Sequence, residues 1–214
     1  TSVEVLRRRQ DDLPPRSRKA LDLVGVELER FRQSLEDLLE LGRLDAGVAP
    51  QALAEVEAVE LVREAVEAAR RPAALVAVGE GIDPERGQHA LVRVDKQHLN
   101  RALWNLMDNA DRHGGGLVSV GVQRSDDFVL ISVDDGGTGV EPADRERIFE
   151  RFYRAGSRGS RSGTGLGLSL VAETVQAHGG QVWCTDQPDG GARFVLRLPV
   201  IASGPAGSGS EETG

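Results

Sequence analysis

Two glycine-rich stretches constrain this chain more than any other feature: Asp135-Gly-Gly137-Thr-Gly139 follows an alternating apolar run, and Gly163-Thr-Gly165-Leu-Gly167-Leu runs into a helical one. Glycine at such junctions marks backbone that turns sharply or comes close to a ligand. The first stretch leaves the carboxylate of Asp135 at a strand end beside backbone that can approach a flat ligand. A carboxylate there accepts from an exocyclic amino group, which adenine carries and guanine lacks at that edge. A plain glycine hairpin turn accounts for the same residues equally well on local evidence. The second stretch leaves free amides at a helix start, where the helix dipole favours phosphate. It is neither a dinucleotide fingerprint nor a Walker loop, because polar Ser157 to Ser162 stands where a strand is required and no Gly-Lys-Ser/Thr ending follows.

Upstream, Leu21, Val24, Leu28, Phe31, Leu35 and Leu38 alternate spacings of three and four, the seam of a coiled coil or helical bundle, which predicts one helix over residues ~16 to 44. Its stripe needs a partner, and a second copy of the chain is the expected one. Asp11-Asp12-Leu13-Pro14-Pro15 reads as a turn entering that helix, with residues 1 to 10 as the end of a preceding one. Gly47 and Pro50 break the periodicity. The expected organisation is a helical-hairpin region at 1–46, a linker at 47–54, a globular domain at 55–201 and a disordered Gly/Ser/Pro/Glu tail at 202–214.

Within the globular part the pattern predicts helices over 59–70, 96–113 and 166–178, the last ended by Gly179-Gly180. Strands are predicted at 75–78, 90–94, 117–123, 128–134, 181–185 and 193–199, with turns at 124–127 and 188–191. Helices mixed with antiparallel strand pairs give an α+β fold with helices on one face of a mixed sheet.

On the helix 96–113, Leu99, Leu103, Leu106, Met107 and Ala110 share one side and Asn105, Asn109, Arg112 and His113 another. Two carboxamides a turn apart can hold a hard cation through oxygen while an arginine neutralises phosphate; a solvated polar face is the bland alternative. Residues 155–162 are nearly all Gly, Ser and Arg, which reads as a mobile lid whose flanking and internal charges, Arg154, Arg158 and Arg161, reach a triphosphate. The net charge of −8, from 26 Lys plus Arg against 34 Asp plus Glu, opposes nucleic acid as a partner. Trp104, Trp183, Phe194, Met107 and the single cysteine, Cys184, are assigned to the core. His89, His98 and His178 receive no catalytic role. No run of eighteen apolar residues occurs, so a soluble, cytoplasmic character is expected for these residues.

Taken together, Asn105-Leu-Met-Asp-Asn109-Ala-Asp-Arg112-His113, Asp135 to Gly139, Ile148-Phe149-Glu-Arg-Phe152-Tyr-Arg154 and Gly163 to Leu168 resemble, in order and spacing, the N, first glycine, F and second glycine boxes of sensor histidine kinases. These belong to the wider Bergerat ATPase group. The resemblance spans residues ~55 to 200 and implies an ATP-binding sandwich of helices on a mixed sheet. It further implies Mg²⁺ at Asn109 assisted by Asn105, phosphate and ribose or adenine contacts at Arg112 and His113, and the adenine amino group at Asp135. Gly137 and Gly139 would shape that pocket, and the run Gly163, Thr164, Gly165, Leu166, Gly167 and Leu168 would line the phosphates. Residues 1–44 resemble the dimerisation hairpin of the same family, through Pro14-Pro15 and Leu38-Leu39-Glu40-Leu41-Gly42-Arg43-Leu44. The acceptor histidine segment is missing, so the expectation is a piece of a longer membrane-bound sensor, or a split kinase acting on a separate partner. Gly136 and Thr138 replace the family's more usual Asn and Pro, and Gly114 stands where Thr or Ser is common.

The reaction this resemblance implies is transfer of the ATP γ-phosphoryl group to a histidine, for relay to a response regulator. In gyrase and the heat-shock chaperones a glutamate at the position of Asn105 activates water; an amide is not a base, so Asn105 favours transfer over hydrolysis. A serine kinase of the anti-sigma type and a nucleotide-gated dimerisation module are the alternatives.

Overall fold

The computed structural model describes residues 14, 17, 18, 24, 28, 31, 35, 38, 39 and 42, and then 52–69, 75–83, 89–155 and 164–201. In chain order the elements are β1 (Leu53–Glu57), α1 (Ala58–Ala68), β2 (Leu75–Val78), β3 (Leu91–Asp95), α2 (Lys96–His113), β4 (Leu117–Ser125) and β5 (Phe128–Asp135). Two short 3₁₀ turns, Pro142–Asp144 and Arg147–Phe149, lead to α3 (Gly167–Ala177), β6 (Gln181–Asp186) and β7 (Ala192–Pro199).

Apolar residues at helical spacing give each helix one buried stripe: Leu61, Val62, Ala65 and Val66 on α1, Leu99, Leu103, Leu106 and Ala110 on α2, and Leu170, Val171 and Val175 on α3. Carboxylates start the first two. Glu57 Oε2 accepts from the Val59 and Glu60 amides, and Glu57 Oε1 from the Ala90 amide, so one side chain caps α1 and ties down the approach to β3. Asp95 Oδ1 accepts from the Gln97 and His98 amides to cap α2.

β1 and β3 form an antiparallel pair, and the main sheet has the order β2-β4-β5-β7-β6, with β2 parallel to β4 and every other neighbour antiparallel. A bridge between Val92 and Val200 links the two sheets. Alternate residues Val129, Ile131 and Val133 of the central strand β5, with Phe194, Leu196 and Leu198 of β7 and Val120 and Val122 of β4, are buried under the helices. Each such side chain contributes about 2 kcal/mol on burial. This is the α+β arrangement of helices against one face of a mixed sheet that the sequence pattern predicts.

The expected helix and strand boundaries hold to within two residues. The differences are physical. β1 has no apolar alternation because most of its side chains are exposed, and it takes in Leu53 and Ala54, which the sequence assigns to the linker. Trp183 is not core: on the edge strand β6 it stays 38% exposed, and Trp104 is only partly buried. Phe194, Met107 and Cys184 are buried, and burial pushes the Cys184 thiol up to about 11. In the first segment Ser17, Arg18, Val24, Leu28, Phe31, Leu35, Leu38, Leu39 and Gly42 are helical, and the Arg18 amide donates to the Pro14 carbonyl at 3.0 Å. Val24, Leu28, Phe31, Leu35 and Leu38 are exposed. Residues 1–13, Pro15, Leu21 and the tail 202–214 lie outside the described residues.

His178 locks the far end of α3 to α2. Its Nδ1–H donates to the Thr174 carbonyl at 2.7 Å and its Nε2 accepts from the Asp95 amide at 2.9 Å, an arrangement only the neutral ring can make. Burial, with the ring of His98 at 6.5 Å, holds its pKa below the ordinary 6.5, although Thr174 and Asp95 pull the other way. The unfolded chain therefore takes up the proton first as pH falls, and stability fully present above pH 6.5 is lost below it. We expect the thermal midpoint to fall between pH 7.5 and 5.5 with a slope that flattens in His178→Gln, whose amide can still donate and accept; equal slopes by calorimetry would refute the assignment.

Candidate functional site

Asp135 ends β5 with a buried carboxylate whose Oδ1 accepts from the Gly137 amide at 3.0 Å and from the Ala192 amide at 2.9 Å. No hydrogen bond among the described residues reaches Oδ2, which leaves one oxygen for a ligand. Backbone surrounds the group closely. A Cβ on Gly114 would collide with the carboxylate, one on Gly191 with the Asp135 carbonyl, and one on Gly137 would lie 2.9 Å from the Gly114 Cα. Glycine at 114 thus lets the end of α2 sit directly against Asp135.

Along α2, Asn105 is 7% exposed and its Nδ2 is buried without a hydrogen-bond partner. A buried orphan of that kind costs about 1–3 kcal/mol. The Asn105 Oδ1 faces Gly167, where a Cβ would stand 3.5 Å away. Asn109 is one turn on and partly exposed, and Arg112 and His113 are exposed at the helix end. Arg112 Nε pairs with Asp108 Oδ2 at 2.8 Å along its own helix, so its charge is already partly balanced.

Gly165 adopts φ +73° and packs so tightly on Phe152 that a Cβ would sit 2.9 Å from that residue's backbone, while the Phe152 amide donates to the Gly165 carbonyl at 2.9 Å. Phe152 itself has φ +62° and is 66% exposed; a side chain in that conformation costs about 1 kcal/mol, supplied by the surrounding contacts. Leu166 is buried, Thr164 exposed, and Gly167 and Leu168 are partly buried. In contrast to α1 and α2, no side chain among the described residues caps α3. Its first amides, Gly167, Leu168 and Ser169, have no acceptor within the helix, and Gly167 stands against Asn105.

The segment between the glycine stretches is fastened by side chains that sequence reasoning missed. Arg145 donates from Nε to the Val140 carbonyl at 3.0 Å and pairs with Asp186 at 2.5 Å. The Tyr153 hydroxyl donates to Asp144 at 2.7 Å under the guanidinium of Arg147, and that bond raises its pKa. On the outer face, Asp134 is buried beneath two Arg193 hydrogen bonds and one from Ser119.

The structure brings Asn105 to Gly167, and Asp135 to Gly137 and, with Gly191, near Gly139. Among the described residues no hydrogen bond or ion pair joins Arg112 or His113 to either cluster. Arg154 is exposed immediately before residues 156–163, so Gly163, Arg158, Arg161 and most of the expected lid lie outside the described residues. Gly191 was legible only as part of a turn at 188–191 and Ala192 not at all; the Asp135 carboxylate that Ala192 binds is 57 positions away.

The model of the histidine kinase-, DNA gyrase B- and HSP90-like ATPase family matches residues 94–202. Over 203 residues the chain is 40% identical to the signal transduction histidine-protein kinase AfsQ2 of Streptomyces coelicolor, covering 93% of this chain and 37% of that one. The chain spans about a third of the length of the first curated relatives it matches. Among solved structures, the ATP binding domain of PrrB from Mycobacterium tuberculosis aligns with TM-score 0.55 and 31% identity over 70% of this chain and 98% of that one. Full-length ShkA in complex with AMPPNP aligns with TM-score 0.64 and 26% identity, over 88% of this chain and 40% of that one.

Because Asp135 Oδ1 is the acceptor for two backbone amides, removing the side chain orphans both. Asp135→Ala is expected to lose about 1–3 kcal/mol of stability, and Asp135→Asn, which keeps an oxygen, clearly less; equal losses in urea melts would show that those bonds contribute nothing.

Proposed function

Since the chain belongs to the histidine kinase-, DNA gyrase B- and HSP90-like ATPase family, we propose that it is the catalytic region of a sensor histidine kinase, binding ATP and passing its γ-phosphoryl group to a histidine outside these residues. What carries the reading is the placing of Asn105, a buried carboxamide without a partner, beside the uncapped start of α3. Free amides at a helix start take phosphate. Asp135 Oδ2 takes the adenine amino group, with Gly114, Gly137 and Gly139 giving the base a flat backbone floor. Arg112 reaches phosphate by exchanging its Asp108 partner, a surface pairing worth little, and Arg154 adds a second charge toward the triphosphate.

Among the described residues no three His, Cys, Asp or Glu side chains converge as a metal site. A divalent ion therefore falls to carboxamide oxygens, phosphate oxygens and water, a donor set suited to Mg²⁺. Asn105 and Asn109 are the residues that would hold it, and the orphaned amide of Asn105 fits a side chain whose oxygen is committed elsewhere. Bound Mg²⁺ neutralises phosphate charge as the phosphoryl group leaves. The chain's own contribution is to orient: Asp135 fixes the base and the α3 amides the phosphates, while the acceptor imidazole, outside these residues, supplies the nucleophile.

Asn105 is an amide and not a base toward water, which supports transfer over hydrolysis. The exposed stripe Val24, Leu28, Phe31, Leu35 and Leu38 supports pairing with a second copy, since an apolar seam at this spacing is covered in a bundle. A response regulator is the onward acceptor. No helix of the described residues is long and apolar enough to cross a membrane, and attachment of the whole sensor to one rests on its family resemblance.

With Mg²⁺ and γ-radiolabelled ATP the chain should show negligible steady-state hydrolysis yet label an added fragment bearing the acceptor histidine; rapid turnover without acceptor would overturn the reading, as would absence of calorimetric heat with adenylyl imidodiphosphate at millimolar excess. Light scattering at micromolar concentration should give a dimer, and Phe31→Glu with Leu35→Glu a monomer that still binds nucleotide.

A further inference from the structure

We propose that the β6–β7 hairpin aims Asp135, with Gly191 as a positioning residue whose missing side chain decides where the free Oδ2 points. The inference rests on the reading that Asp135 receives the adenine amino group. Neither Gly191 nor Ala192 belongs to the segments that mark the site in sequence, yet Ala192 binds the carboxylate and a Cβ on Gly191 would collide with the Asp135 carbonyl and lie 3.0 Å from Oδ1. The Ala192 amide supplies one of the two hydrogen bonds to Oδ1, in a buried setting. The planar carboxylate has one remaining freedom, rotation about its own bond, and two N–H donors on the same oxygen remove it. Oδ2 is then fixed wherever the hairpin and Gly137 put it.

The hairpin is stiff enough for this. Gln187, 8% exposed, donates from its amide to the Gly191 carbonyl at 3.1 Å, accepts from the Gly190 amide at 3.0 Å, and takes the Asp189 amide on its side-chain oxygen at 2.7 Å. Arg145 holds the base of the hairpin to the loop after Asp135 by bridging Asp186 and the Val140 carbonyl. Gly139 completes the contact, since a Cβ there would lie 3.3 Å from the Gly191 carbonyl. Gly191, at φ +107°, has no space for a Cβ on its Asp135 side. Its neighbour Gly190 has nearly the same backbone, φ +101°, but open space around a Cβ. Gly190→Ala therefore carries the same left-handed strain without touching Asp135, and isolates the positioning effect from backbone cost.

The readout is base discrimination. Inosine triphosphate carries an oxo group where adenosine triphosphate has the amino group, so a well-aimed carboxylate favours ATP and opposes ITP. Calorimetric affinities for both nucleotides should show that wild type prefers ATP at least tenfold, that Gly191→Ala loses most of that ratio through ATP while ITP binding changes less than threefold, and that Gly190→Ala keeps it. A merely structural defect would weaken both nucleotides together. A folded Gly191→Ala with the wild-type ratio overturns the inference alone, as does a Gly190→Ala that loses it equally. Should Gly191→Ala fail to fold, Arg145→Gln, which loosens the same hairpin, decides: a ratio reduced threefold or more supports the inference and an unchanged one overturns it. A wild type that binds neither nucleotide, or both alike, overturns the functional reading and this inference with it.

Discussion

One carboxylate oxygen, Asp135 Oδ1, takes the amide hydrogens of Gly137 and Ala192, and the geometry of the whole pocket depends on that sharing. It ties the end of the central strand to the loop that follows it and to a hairpin far along the chain. A buried carboxylate is costly unless it is hydrogen-bonded; here the backbone satisfies one oxygen and leaves the other free. Folding thus uses one side of the group, and the proposed recognition of adenine would use the other. The glycines at 114, 137 and 191 are the steric condition for it, because a side chain at any of them would displace the carboxylate or its backbone.

A second constraint runs along the α2–α3 seam. At one end His178 joins the last turn of α3 to the Asp95 amide at the head of α2; towards the other, Asn105 meets Gly167 at the start of α3. The helix pair is therefore fixed away from the ligand, where α2 is capped by Asp95 and α3 closes on Gly179 and Gly180. Among the described residues it is left unsatisfied at the other end, at the first amides of α3 and the Asn105 Nδ2. Hydrogen bonds are concentrated at the closed end and unused hydrogen-bonding capacity at the open one, where the proposed site lies.

Much of this was legible beforehand. The alternation of Val129, Ile131 and Val133 and the helical spacing of Leu99, Leu103, Leu106 and Ala110 report burial directly, because the period of a pattern reveals which face is dry. β1 escaped notice because Leu-Ala-Glu-Val-Glu is paired on one edge only and mostly solvated, so its strand character comes from its neighbour β3 rather than from its own residues. Trp183 was misassigned to the core for a related reason: strand position in the sheet, edge or centre, decides exposure, and the order β2-β4-β5-β7-β6 is invisible in sequence.

The chain's residues determined the chemistry: amides at 105 and 109, a carboxylate at 135 and glycine backbone around it, each fixed by residue type and local spacing. Tertiary structure decided which of them act together. That Asn105 lies buried beside α3, and that Gly191 and Ala192 hold Asp135, both follow from strand register and helix packing. Contacts between residues distant in sequence depend on how several elements close over one core, and no local pattern encodes that closure.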